Sequence, residues 1–184
     1  MARKIVLYGG SFNPLHSAHL EIIDYLSKHY DLVVIIPTNV TYYKDADPMF
    51  SFEERYKAIK DKISVFNNVV ISTVEKNIPK TWRFIDTLKY MVKYHVLYKD
   101  EDIDKLSEDI KNVDTQIYLA IGSDSLLTFK TWYAWQDILK LAKLVVFNRP
   151  GYTENLPKDI EYEYIPMNNP ESSTRLRKLI LQKK

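Results

Sequence analysis

With 184 residues, 46% of them hydrophobic, the chain is long enough to bury a substantial core, and one domain over residues 1–184 is the expectation. A net charge of +2 with scattered basic residues leaves no nucleic-acid or membrane footprint, and the lack of cysteine excludes disulfides, thiolate catalysis and cysteine-based zinc sites. No signal peptide, membrane span or internal repeat is legible, so a cytoplasmic protein is expected.

Ile5, Val6 and Leu7 form a short apolar run, as a central parallel strand buried on both faces requires. Gly9 and Gly10 follow; without Cβ atoms they predict a tight turn and a close approach of backbone to a ligand. Ser17 is placed to cap a helix whose apolar face runs through Leu20, Ile23 and Leu26. His16 and His19, three apart, project from one side of that helix start. The helix's free N–H groups and positive dipole end favour a phosphate there. Two histidines at this spacing are by themselves an ordinary surface or core feature, and the glycine pair ahead of them is what points to a ligand. Zinc needs a third protein ligand, and neither His29 nor His95 is placed to supply it, so no metal ligand set is expected.

Leu32–Ile36 is a second apolar run closed by Pro37, which completes a right-handed strand–helix–strand unit. A polar loop carries Tyr42, Tyr43 and Lys44, and Ser51-Phe52-Glu53-Glu54 is a capping box opening a helix through Tyr56, Ile59, Ile63 and Phe66. Val69–Val74 predicts a third strand. A helix from about Trp82 to Tyr98 would turn Ile85, Leu88, Met91 and Val92 inward. The charge-dense stretch 99–114 predicts a short surface helix inserted before the next strand. Gln116–Ile121 is a core strand ending in Gly122-Ser123-Asp124, a second glycine turn that should lie beside the first, beyond the carboxyl ends of the strands. A helix from Tyr133 to Leu141, a strand Leu144–Phe147, the turn Asn148-Arg149-Pro150-Gly151 and a strand Tyr162–Pro166 follow. A last helix opens at Ser172-Ser173-Thr174. The fold class is α/β: a Rossmann-like doubly wound sheet, mostly parallel, with helices on both faces.

Neither a G-x-G-x-x-G fingerprint nor a P-loop follows the first strand. What stands there, Gly9-Gly10-Ser11-Phe12-Asn13-Pro14 and then His16-x-x-His19, resembles the nucleotidyltransferase superfamily marked by a histidine pair, with Ala18 where that family has glycine. Three later blocks narrow the likeness. Ala120-Ile121-Gly122-Ser123-Asp124, Trp132-Tyr133-x-Trp135 and Asn148-Arg149-Pro150-Gly151-Tyr152 resemble the bacterial nicotinate-nucleotide adenylyltransferases. Ser172-Ser173-Thr174-Arg175-Leu176-Arg177 is similar to the superfamily's I-S-S-T-x-[IL]-R motif, with Glu171 in place of isoleucine.

The resemblance implies transfer of AMP from ATP to a pyridine mononucleotide, with Mg2+ assisting and pyrophosphate released. It implies that His16 and His19 donate to ATP phosphates, that the loop Gly9, Gly10, Ser11 and Phe12 wraps the nucleotide, and that Lys44 neutralises phosphate charge. Ser173, Thr174 and Arg177 would meet the β- and γ-phosphates, and Gly122 and Asp124 the adenosine ribose. On the acceptor side it implies a ring shelf at Trp132 and Tyr133 and a phosphate or substrate partner at Arg149. Where family members carry S-Y-T-x-D-T-L to recognise the nicotinate carboxylate, this chain has Trp82-Arg83-Phe84-Ile85-Asp86-Thr87-Leu88. Asp86 and Thr87 match, and Arg83 is a candidate to pair with the carboxylate in place of the lost hydroxyl. Three alternatives stand beside this: nicotinamide mononucleotide as acceptor, phosphopantetheine as acceptor, or a nucleotide sensor without turnover.

Overall fold

The computed structural model describes residues 2–39, 49–79, 83–94 and 114–182. Among them, six strands form one sheet in which every pair is parallel: β1 (Arg3–Gly10), β2 (Leu32–Pro37), β3 (Val69–Ile71), β4 (Thr115–Gly122), β5 (Lys143–Phe147) and β6 (Tyr162–Ile165). Their order is β3-β2-β1-β4-β5-β6, so the winding reverses between β1 and β4. A crevice for a ligand opens at such a reversal. Connecting helices are α1 (Ser17–His29), α2 (Phe52–Ile63), α3 (Val74–Asn77), α4 (Phe84–Tyr94), α5 (Ser123–Thr128), α6 (Trp135–Leu141) and α7 (Ser173–Gln182). No helix among the described residues is long and apolar enough to cross a membrane.

The strands' two-residue alternation divides the core into two layers. Ile5, Leu7, Val34, Ile36 and Leu119 pack with Val74, Ile85, Leu88 and Ile138, from α3, α4 and α6. Val6, Val33, Ile35 and Val145 pack on the opposite face with Ile23 and Leu26 of α1 and Ile59 of α2. Both faces are therefore covered, which explains why these strands read as unbroken apolar runs.

Several local expectations are corrected. Gly9 and Gly10 do not turn: they extend β1, opposite Ile36 and Pro37 of β2. The chain bends after them, through Ser11–Leu15. The cap of α1 is His16 rather than Ser17, whose hydroxyl accepts from Asn169 Nδ2 at 3.2 Å. The third strand stops at Ile71, and Val74 begins α3 because Ser72 Oγ accepts from the Val74 N–H (3.3 Å) and bends the chain. Gly122 likewise ends a strand in extended geometry and leads into α5, a helix without a visible sequence signal. Tyr133 precedes rather than opens its helix; Ala134 adopts a left-handed φ of 53° and α6 starts at Trp135. β6 ends at Ile165, one residue early. The ends of the 82–98 helix and nearly all of the 99–114 insertion lie outside the described residues.

The capping box of α2 forms as expected, with Ser51 N–H and Oγ both donating to Glu54 Oε2 at 2.8 Å. One turn on, α2 delivers a guanidinium into the interior. Arg55 is 3% exposed, yet its partners are backbone oxygens: Nη1 donates to Ser11 O (2.8 Å) and Thr38 O (2.9 Å), and Nε to Phe50 O (3.2 Å). It ties the loop after β1 to both ends of the segment between β2 and α2. Arg55→Met should leave three buried carbonyls without their donors and lower the unfolding free energy by about 3 kcal/mol, read from urea denaturation.

Candidate active site

A cavity of about 860 Å3 opens over the carboxyl ends of β1 and β4. It straddles the sheet edge. One side is walled by His16 and His19 of α1 and by Ser172, Ser173 and Thr174 at the start of α7; the other by Glu75, Phe84 and Trp132. The floor is bare backbone. A Cβ on Gly9 would meet only Ile36 O, at an ordinary 3.9 Å, so the missing side chain leaves room toward the cavity rather than relieving a clash. A Cβ on Gly10 would press on the Phe12 ring at 3.3 Å. Phe12 itself has a left-handed φ of 46°, a strained conformation for a bulky residue. Its ring is buried beneath His19, centroids 4.9 Å apart, and does not reach the cavity wall.

The two histidine rings stack face to face, centroids 3.6 Å apart and 24° from parallel. The His16 N–H donates to His19 Nδ1 at 3.3 Å. An Nδ1 that accepts cannot carry the proton, so neutral His19 holds its hydrogen on Nε2. Both ring nitrogens of His16 are buried with no hydrogen-bond partner. Burial pushes the His16 pKa down to about 4, with Arg149 adding repulsion. His19 is held well below its ordinary range by burial, then by His16 and Arg149. The site therefore holds two neutral imidazoles that an incoming anion would push toward protonation. Ala18 sits in the regular part of α1 and lines the cavity between them.

Across the edge of β4, Arg149 Nη1 pairs with Asp124 Oδ2 at 2.6 Å, while Oδ1 is buried without a partner. The carboxylate packs against Gly122, where a Cβ would stand 2.4 Å from Oδ1 and push the side chain aside. Ser123 Oγ accepts from the Arg149 N–H (2.9 Å) and fixes the turn that carries the guanidinium. From α7, Ser173 Oγ donates to Pro14 O (2.9 Å), and Arg177 donates to Asn13 O (2.6 Å) and Thr174 Oγ1 (3.1 Å). Arg177 thus braces the loop from behind and does not line the cavity.

On the far wall, Arg83, Phe84, Trp132 and Tyr133 line the cavity, with Phe84 edge-on to Trp132 at 5.9 Å. Asp86 and Thr87 do not line it. Asp86 Oδ2 accepts from the Arg83 N–H (2.9 Å), capping α4, and Thr87 is fully buried with its hydroxyl on Glu75 Oε1 (3.0 Å). Lys44 lies outside the described residues. The structure adds wall residues that sequence reasoning missed: Tyr8, Glu75 and Asn169. Tyr8 was legible in principle, being the last side chain before the glycine pair; Glu75 and Asn169 carried no signal. Among the described residues, no three His, Asp or Glu gather as a metal ligand set.

The profile of the cytidylyltransferase-like family matches residues 7–179. A protein named "Probable nicotinate-nucleotide adenylyltransferase" from Clostridium botulinum is 31% identical over 194 residues, covering 98% of this chain and 88% of its own. A protein of the same name from Maridesulfovibrio salexigens is 30% identical over 79% of this chain, which spans 61% of that relative's length. Plasmodium falciparum nicotinic acid mononucleotide adenylyltransferase, solved in complex with NaAD, superposes with a TM-score of 0.71 over 96% of this chain and 83% of its own. At 18% identity that likeness speaks for the fold alone.

The electrostatics give a direct test. In the unliganded protein the His16 ring should titrate near pH 4, followed by its carbon-bound proton shifts, and added pyrophosphate should move that midpoint upward. A midpoint at the ordinary histidine value in the free protein would contradict the buried, stacked arrangement.

Proposed function

Because the chain belongs to the cytidylyltransferase-like nucleotidyltransferases and, among them, to the nicotinate-nucleotide adenylyltransferases, we propose that it transfers AMP from ATP to nicotinate mononucleotide, giving nicotinate adenine dinucleotide and pyrophosphate for NAD biosynthesis in the cytoplasm. The observation that carries the reading is the stacked pair of neutral histidines lining one cavity together with the Ser172–Thr174 helix start and the backbone of Gly9 and Gly10.

An oxygen of the acceptor's 5′-phosphate attacks the α-phosphorus of ATP. A phosphorus–oxygen bond forms, the bond from the α-phosphorus to the bridging oxygen breaks, and pyrophosphate leaves with that electron pair. No side chain needs to form a bond; positioning and charge stabilisation carry the step. His19 donates from Nε2, and His16 gains in a phosphate oxygen the partner that its ring nitrogens lack. The backbone of Gly9, Gly10 and Ser11, shaped by the Phe12 bend, lies along the triphosphate. Ser173 and Thr174 offer the α7 N-terminus to the β- and γ-phosphates. Arg177 holds that helix against the loop, and Lys44 adds positive charge from the segment after β2. Asp124, behind the bare Gly122, accepts from ribose hydroxyls, which frees Arg149 for a phosphate. Trp132 and Tyr133 shelve the pyridine ring, Arg83 pairs with its carboxylate, and Asp86 and Thr87 act by fixing the start of α4. Mg2+ would be carried on the triphosphate oxygens, since no His, Asp or Glu cluster among the described residues would hold it, and would supply neutralisation of the leaving group's charge.

Pyrophosphate release measured with ATP and nicotinate mononucleotide tests the proposal. Turnover only on phosphopantetheine, or ATP binding without turnover on any acceptor, would refute it. His19→Ala should lower kcat about 100-fold or more with little change in ATP affinity, because its hydrogen bond strengthens as charge builds on the leaving group. Arg83→Ala should reduce the preference for the acid over the amide mononucleotide; an unchanged preference removes Arg83 from recognition.

A further inference from the structure

The acceptor wall contains a carboxylate that none of the roles above employs. Glu75, on α3, lines the same cavity as Arg83, Phe84 and Trp132. Its Oε1 is fixed by the hydroxyl of Thr87, whose own burial in α4 is complete. We propose that Glu75, working together with Arg83, decides whether the acceptor's pyridine ring is taken with a carboxylate or a carboxamide substituent, an inference that rests on the function proposed above.

The charges around Glu75 leave it chemically distinct from its neighbours. Lys76, next along α3, is turned outward to Glu53 of α2 at 2.6 Å. Asp86 of α4 is engaged by the Arg83 N–H, and Lys89 of α4 faces Asp137 of α6 at 3.9 Å. Arg83 is the cation that shares its wall. Burial raises the Glu75 pKa, and the Thr87 hydrogen bond offsets only part of that. Protonated, Glu75 donates its O–H to a nicotinate carboxylate while Arg83 supplies the opposite charge. Ionised, it repels that carboxylate and accepts instead from the N–H of a carboxamide. Acid-over-amide preference therefore falls as pH rises through the Glu75 pKa.

The reading is a ratio: kcat/KM for nicotinate mononucleotide over kcat/KM for nicotinamide mononucleotide, from the ordinary glutamate pKa at about pH 4.3 up to about pH 8.5. Titration of the 5′-phosphate and of the histidines is common to both acceptors and cancels. The native ratio should fall about tenfold or more across that range, while Glu75→Gln, a fixed neutral donor, should hold it flat. Glutamine keeps an oxygen for Thr87, and matching melting temperatures check that the variant is folded. Equal slopes in native and variant protein overturn the inference. If the variant does not fold, the native profile decides, since a flat native ratio overturns it too. Turnover of neither mononucleotide refutes the proposed function itself; turnover of both at a constant ratio refutes only the role of Glu75.

Discussion

Two guanidinium groups bound to backbone carbonyls hold this site together. Arg55 reaches from α2 to Ser11, Thr38 and Phe50; Arg177 reaches from α7 to Asn13. Between them lies a loop whose strained Phe12 and buried Asn13 would not keep their conformation unaided. Asn13 itself accepts from the Phe50 N–H at 3.1 Å, so side chain and backbone of the same residue lock to different parts of the chain. The loop is the hinge-free link from β1 to α1, and it sets where both histidine rings stand. Arginine suits the task because its rigid fork satisfies several oxygens at once, which a lysine ammonium would do only by losing more freedom.

Fixing the loop also fixes the electrostatic state of the cavity. Two stacked imidazoles excluded from water cannot both be cationic, and a guanidinium nearby pushes the same way. Neutrality lets His19 orient its Nε2 hydrogen through the His16 N–H, so the donor is aligned before any phosphate arrives. Alignment in advance is what makes such a donor effective, since no reorganisation remains to be done as charge builds. Arg149 takes part from the other side. It is held by Asp124, whose second oxygen has no partner, so the pair is poised to exchange contacts when a ligand brings both hydroxyls and negative charge.

Much of this was legible in the chain because it is written locally. The apolar runs at residues 5–7, 32–36, 116–121 and 144–147 became strands since each is buried on two faces. The capping box at Ser51 formed since its two partners are three residues apart. What escaped was set by distance. That Gly9 and Gly10 extend β1 instead of turning depends on β2 running beside them to Pro37. That Thr87, outside the cavity wall, binds Glu75 depends on α3, whose first residue, Val74, the apolar pattern had absorbed into a strand. Arg55 looks like any surface arginine until α2 is laid against the loop.

The same division explains where the chain departs from its family's pattern. The side of the cavity proposed to take ATP is built from backbone and helix ends: Gly9, Gly10, the α1 start and the Ser173 turn. Such groups tolerate Ala18 for glycine, because the position is helical and the extra methyl changes no donor. The acceptor side is made of side chains, and there the substitutions concentrate, with Arg83 and Phe84 standing where tyrosine and threonine are usual. Phe84 replaces a hydroxyl by a ring that packs on Trp132, which leaves Arg83 and Glu75 as the charged side chains proposed to recognise the acceptor there. The proposed ATP side thus rests mainly on backbone and helix ends, and the proposed acceptor side is a wall of side chains that can change without disturbing it.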